Sequence, residues 1–210
     1  MCLPFYRLRA FEFDEKKPGK HLKDLNLRYN SVSSFVTKAI LCAAVQSKKQ
    51  GIAAIEKWLE IASDLWSRRS YHMLFAVQNA LQKHQVDRLD FLFAAANKKA
   101  QKTKSKLDKL FSPQDRMAQL IAELNANVGV HPMIPCIFWL VQKATLLKET
   151  PVFLASDALN LDRVTAANNI FSNMAKMQEM RYAPLQEDEQ ILWYFMRIER
   201  EANAVSDDDL

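Results

Sequence analysis

The sequence predicts an all-α fold, and three observations carry that prediction. Only 3 glycines and 7 prolines punctuate 210 residues, while Ala, Leu, Lys, Gln and Met, all good helix formers, fill most stretches. Apolar residues recur at three-to-four spacing in one segment after another. Joins such as SRRS at 67–70 are short, as between packed helices. With 49% hydrophobic content, a chain of this length buries one sizeable core, so a single domain over 21–203 is expected.

The breaker KPGK at 17–20 sets residues 1–20 apart as a poorly defined arm, with the folded body starting near His21. Val32, Phe35, Val36, Ala39, Ile40 and Ala43 form a first helical stripe, with Asn30 or Ser31 as N-cap. A second stripe holds Ile52, Ile55, Leu59, Ala62 and Trp66, and a third helix runs from Tyr71 to Gln82 as its antiparallel neighbour. The stretch 86–111 is rich in lysine. SPQD then predicts a helix over 113–126, with Ser112 as N-cap and Pro113 at the first position.

After the loop NVGVHPMIP, a helix begins near Pro135 and is stopped by Pro151. NLDRVTAANNIFSNMAKMQEM and EDEQILWYFMRIEREANA read as two more amphipathic helices, joined by RYAPLQ, and residues 204–210 as a disordered acidic tail. Trp58, Trp66, Trp139 and Trp193 fall on or near apolar stripes and are expected in the core.

Several function classes are set aside. Gly19, Gly51 and Gly129 are isolated, so no glycine-rich phosphate loop exists and no cofactor is expected. His21, His72, His84 and His131 lie far apart, and Cys2, Cys42 and Cys136 suit neither a zinc site nor a disulfide framework, so no metal is expected. Carboxylate pairs such as Glu56 with Glu60, or Glu187 with Glu189, lack a nucleophile.

A net charge of +5 is spread among 29 basic and 24 acidic residues and does not call for nucleic acid. The charged N-terminus lacks a signal-peptide core, and Gln142 and Lys143 interrupt the apolar run 137–141, so a cytoplasmic protein is expected. Lys98, Lys99, Lys102, Lys104, Lys106 and Lys109 are either a solvated helix face or a contact for an acidic membrane surface.

LRYNSVSSFVTKAIL, with Tyr29, Asn30, Phe35 and Val36, resembles the Phe-Asn-x-Leu-x-x-Trp-Val helix of the catalytic domain of Ras-family guanine nucleotide exchange factors. Arg69-Ser70-Tyr71 stands where that family has Asn-Asn-Phe, Ala80-Leu81-Gln82 at its small-residue-Leu-Asn pattern, and Val86-Asp87-Arg88-Leu89 matches its Val-x-Arg-Leu. KLDKLFSPQDRMAQLIAEL is similar to its lysine-bearing helix with a Met-Ser-Pro turn, and IPCIFWLVQKATLLKE to its Pro-Cys-Ile-Pro-Phe helix with one residue missing after Ile137. ALNLDRVTAANNIFSNMAKMQEMRYAP resembles its Ile-Asn-Phe helix, and the likeness covers roughly residues 25–200 of an N-terminally short relative.

The resemblance implies a helical bundle with a protruding hairpin at about 134–181. It also implies exchange on a Ras-superfamily GTPase, in GDP-bound or nucleotide-free form, by a wedge that disturbs its magnesium and phosphate contacts. No covalent chemistry is involved. The family's metal-blocking hydrophobe maps to Leu147 and its acidic partner to Pro151, which can neither carry charge nor extend a helix. Leu146 with Glu149, three apart on one face, is the substitute pair.

The family's Lys-Arg-Arg becomes Arg163-Val164-Thr165, and the hairpin connection is shorter. Expected contacts to the GTPase are Tyr29, Asn30, Arg69, Ser70, Tyr71, Phe138 and Thr145, with Leu146, Leu147 and Glu149 acting on its nucleotide site. The alternative is a scaffolding module of the same fold that binds a GTPase without ejecting nucleotide.

Overall fold

Helix α1 (Lys20–Gln46) is the spine of the molecule, and its stripe Leu22, Leu25, Tyr29, Val36 and Ile40 is buried along most of its length. The computed structural model describes residues 18–115 and 117–183, together with 4–7, 9, 13, 188–190, 193, 194 and 197. The expected cap at Asn30 or Ser31 is corrected: both lie inside α1. The apolar spacing continues without a break from Leu22 through Val36, and burying that stripe outweighs the capping preference of two polar residues.

Ser47 ends α1 and caps α2 (Lys48–Ser67), its hydroxyl accepting from the Gln50 amide at 3.2 Å. The two helices approach closely at Gly51, where a Cβ would lie 3.0 Å from Ala44 Cα and 2.9 Å from Leu92 Cδ1. α3 (Tyr71–Gln82), with the bounds predicted, packs on both and is the most deeply buried helix. Two short helices, α4 (His84–Asp87) and α5 (Asp90–Ala95), lead to α6 (Lys98–Leu110), capped by the Asn97 side chain accepting from the Ala100 amide at 2.9 Å.

The helix expected at 113–126 is α7 (Ala118–Asn127) and starts later. The Ser112 hydroxyl accepts from the Asp115 amide at 3.4 Å as a cap would, but it opens a single turn, closed by the Met117 amide on the Ser112 carbonyl at 3.0 Å, and Met117 at φ 56° interrupts right-handed continuation. α8 (Ile137–Glu149) and α9 (Leu161–Glu179) then pack against each other as a hairpin. Their root is buried through Ile137, Leu140 and Ala144 on α8 and Met174 and Met177 on α9, while the far ends are solvated.

Phe5, in a 3-10 turn at Pro4–Arg7, and Phe13 are both buried. The Gln178 side chain donates to the Phe5 carbonyl at 2.8 Å, and the rings of Phe13 and Phe171 lie 6.4 Å apart, so these two residues meet α9.

Of the last predicted helix, Tyr194 stacks edge-on against Phe35, which in turn meets Trp58. The expectation of four core tryptophans is corrected at Trp193, which is 62% exposed beneath the Arg197 guanidinium, whereas Trp58, Trp66 and Trp139 are half-buried. Residues 204–210 lie outside the described residues. Among those described, pairing outside helices is limited to two isolated bridges, and no helix is long and apolar enough to cross a membrane.

Candidate functional site

The hairpin root joins three sequence-distant segments. The amide of Tyr71 donates to the Ile134 carbonyl at 2.9 Å and that of Ile134 to the Arg69 carbonyl at 3.0 Å, so the α2–α3 turn pairs with the strand-like entry to α8. Arg69 holds φ 58°, a left-handed conformation unusual for a residue with a side chain, and its Nε donates to Asn127 Oδ1 at 2.9 Å. Glu123 accepts from Trp66 Nε1 at 2.8 Å and from the Tyr71 hydroxyl at 3.1 Å. Two residues of α7 thus brace the turn that carries Arg69, Ser70 and Tyr71.

Beside this turn, Tyr29, His72, Phe75 and Phe138 form one aromatic cluster, with Tyr29 and Phe138 edge-to-face at 4.6 Å. Tyr29 is buried and Phe138 is 37% exposed, so the cluster offers a ring edge to solvent over a fixed base. Burial pushes the Tyr29 hydroxyl above the ordinary phenol range, and burial together with the Glu123 carboxylate does the same for Tyr71. His72 is completely buried and held down to about 4 by desolvation. Its Nε2–H donates to the Leu25 carbonyl, leaving Nδ1 without a partner. Cys136 is buried and its thiol is pushed up to about 11, which makes it a poor nucleophile.

The helical twist sorts the predicted residues of α8. At about 100° per residue, Phe138, Gln142, Thr145, Leu146 and Glu149 fall on one side, while Leu147 lies about 180° from Phe138. Phe138, Gln142, Leu146 and Glu149 are exposed, Leu146 at 50%, while Thr145 and Leu147 are half-buried. The Leu147 carbonyl accepts from Arg163 Nε at 2.9 Å, tying that side of α8 to α9. The structure therefore brings Tyr29, Phe138 and the 69–71 turn together and continues their face through Thr145, Leu146 and Glu149. Asn30 is exposed one residue beyond Tyr29 on α1.

Pro151 is exposed after the Thr150 C-cap, and its carbonyl accepts from Asn160 Nδ2 at 3.1 Å. Asn160 also caps α9 through the Arg163 amide. This closes a short tip, with Phe153 bridged to Leu159, that exposes Val152, Phe153, Leu154, Leu159 and Leu161. Sequence reading gives Val152, Phe153 and Leu154 no role, although VFLA is visibly apolar. It also passed over His72, Phe75, Glu123 and Asn127, whose roles depend on partners 46 or more positions away or on other helices. Among the described residues no group of three or more His, Cys, Asp or Glu is placed to hold a metal ion.

The described residues form a helical bundle carrying an exposed hairpin, with an aromatic and apolar face at its root and tip. The family model described as RasGEF domain matches residues 5–178, and the chain belongs to that family. It is 23% identical over 173 residues to mouse Ras-specific guanine nucleotide-releasing factor 2, covering 81% of this chain and 14% of that protein. To human Ras-specific guanine nucleotide-releasing factor RalGPS2 it is 26% identical over 152 residues, covering 72% and 26%. Ras guanine nucleotide exchange factor P of Dictyostelium discoideum is 27% identical over 116 residues, covering 55% and 8%. The chain therefore spans only a small part of the length of these relatives. The match reaches Phe5, which is buried.

Proposed function

We propose that this chain is a guanine nucleotide exchange factor for a Ras-superfamily small GTPase, engaging the GDP-bound or nucleotide-free form. The α8–α9 hairpin opens the nucleotide site. The observation that carries the reading is the continuous face from Tyr29 and Phe138 through Thr145 and Leu146 to Glu149, set beside the braced 69–71 turn. Leu146 supplies the apolar wedge and Glu149 the negative charge that competes with phosphate; three residues apart, they act on one side of the helix. Leu147 is half-buried on the other side of α8, where its carbonyl accepts from Arg163 of α9, and serves the hairpin's own packing.

Catalysis of this kind is differential binding: the face favours the empty GTPase over the loaded one, and exchange accelerates by that difference. Release of a fluorescent GDP analogue from Ras-, Rap-, Ral- and Rab-type proteins tests it. Leu146→Ala and Glu149→Ala should each slow release at least tenfold with the melting temperature unchanged. Leu147→Ala should instead lower stability by about 1 kcal/mol, because it removes half-buried methyl groups. Binding without faster release would favour the scaffolding reading, which Pro151 in place of the family's acid supports.

The reading also includes contact with an acidic membrane surface through the lysines of α6.

A further inference from the structure

On α6 the twist of about 100° per residue places Lys98, Lys99, Lys102, Lys106 and Lys109 within one arc of about 100°, and no other residue of the helix falls inside it. All five are exposed. The stripe is about 16 Å long, from the first residue of the helix to the last but one. Outside the arc, Ala100, Leu107 and Leu110 are buried and fix the helix against the core, so the lysines are held outward as a set. Lys104 stands apart: its ammonium binds both oxygens of Asp108, at 2.8 and 2.9 Å, and lies 5.8 Å from the Phe93 ring centre. Nearby negative charge comes from α2, where Glu60 is paired with Lys57 and also feels Lys99, and where Glu56 accepts from the Asn97 amide.

We propose that the stripe Lys98, Lys99, Lys102, Lys106 and Lys109 docks the module on the headgroups of anionic phospholipids. This rests on the membrane contact of the proposed function and sharpens it, with Lys104 removed from the expected surface. It does not depend on exchange activity. Four to eight clustered lysines on one helical face are the electrostatic signature of an anionic bilayer surface. Lysine ammonium groups are point charges suited to a mobile array of headgroups rather than to bidentate recognition of one phosphate. Single-stranded nucleic acid would call for aromatic rings interleaved with the charges, and the arc holds none.

The experiment is co-sedimentation of the whole chain with vesicles of phosphatidylcholine alone or with 30% phosphatidylserine, at low and physiological salt. Binding should require the serine lipid and weaken with salt. Each neutralisation along the stripe should lower partitioning about fivefold. The combined Lys98→Gln, Lys102→Gln, Lys106→Gln, Lys109→Gln variant should abolish it, and Lys104→Gln should leave it nearly unchanged. All four substituted side chains of the combined variant are exposed, so an unaltered circular dichroism melt is expected.

Binding to acidic vesicles that survives the combined variant, or falls equally with Lys104→Gln, would overturn the stripe while leaving a membrane contact in place. No preference for acidic over neutral vesicles would overturn both. Equal or stronger stripe-dependent binding to duplex DNA or polyglutamate would overturn the assignment to lipid.

Discussion

Replacing His72 by Gln should remove a pH dependence of stability that the native protein carries between neutral and weakly acid conditions. His72 is neutral in the fold because its Nε2–H donates to the Leu25 carbonyl, while its unpartnered Nδ1 would become a buried donor on protonation. Above about pH 6.5 the ring is neutral in both folded and unfolded chains and contributes no proton linkage. As pH falls from 6.5 toward 4, the unfolded chain takes up a proton that the folded one refuses, so stability is lost. Below about 4 the folded ring titrates too and the loss stops.

The gap between 6.5 and about 4, at about 1.4 kcal/mol per pH unit, amounts to about 3 kcal/mol. Urea unfolding at pH 7.5, 6.5, 5.5 and 4.5 reads it as the difference between native and His72→Gln proteins, which cancels the carboxylates common to both. By pH 4.5 the native protein should have lost about 2 to 3 kcal/mol more than the variant. Parallel curves would refute the reasoning, since they would mean that His72 titrates normally in the fold. The consequence reaches the candidate site, because His72 lies 5.6 Å from Tyr29 and 5.9 Å from Phe138, ring centre to ring centre.

Two other substitutions probe how the site is held. Glu123→Ala should leave Trp66 Nε1 and the Tyr71 hydroxyl without their shared acceptor and cost about 2 kcal/mol, with faster amide exchange at 69–71 and 134; Glu123→Gln, which keeps one acceptor oxygen, should recover part of this. Gly51→Ala should destabilise by about 1 kcal/mol in thermal melts despite the better helix former, because the new methyl meets Ala44 backbone and Leu92. A stabilised Gly51→Ala protein would show that α1 and α2 can separate without loss.

Much of the bundle was legible because burial writes itself into spacing. The stripe Ile52, Ile55, Leu59 and Ala62 appears in the sequence within α2, and the helix Tyr71 to Gln82 with the bounds that α3 adopts. Boundaries failed where local preference and tertiary burial disagree. Asn30 and Ser31 look like caps but lie inside α1, whose apolar stripe runs past them; Ser112 looks like a cap but opens only one turn before Met117 reverses φ. Phe5 and Phe13 read as an arm because two isolated aromatics show no period, and only the α9 surface explains their burial.

The sequence by itself determined the class of fold, the pairing of a protruding helix with its return, and the family resemblance that the match over residues 5–178 bears out. It also named Tyr29, Phe138 and Arg69 to Tyr71 as one group, but from likeness to other chains rather than from any visible contact. Tertiary structure decided what surrounds them: the bracing by Glu123 and Asn127, the buried His72, and which of Leu146 and Leu147 faces outward. The physical reason is that periodicity reports how far one helix turns against an average core. The side of a helix left free depends on where its neighbours stand, and on α8 that neighbour is α9, joined to it through Arg163 and the Leu147 carbonyl.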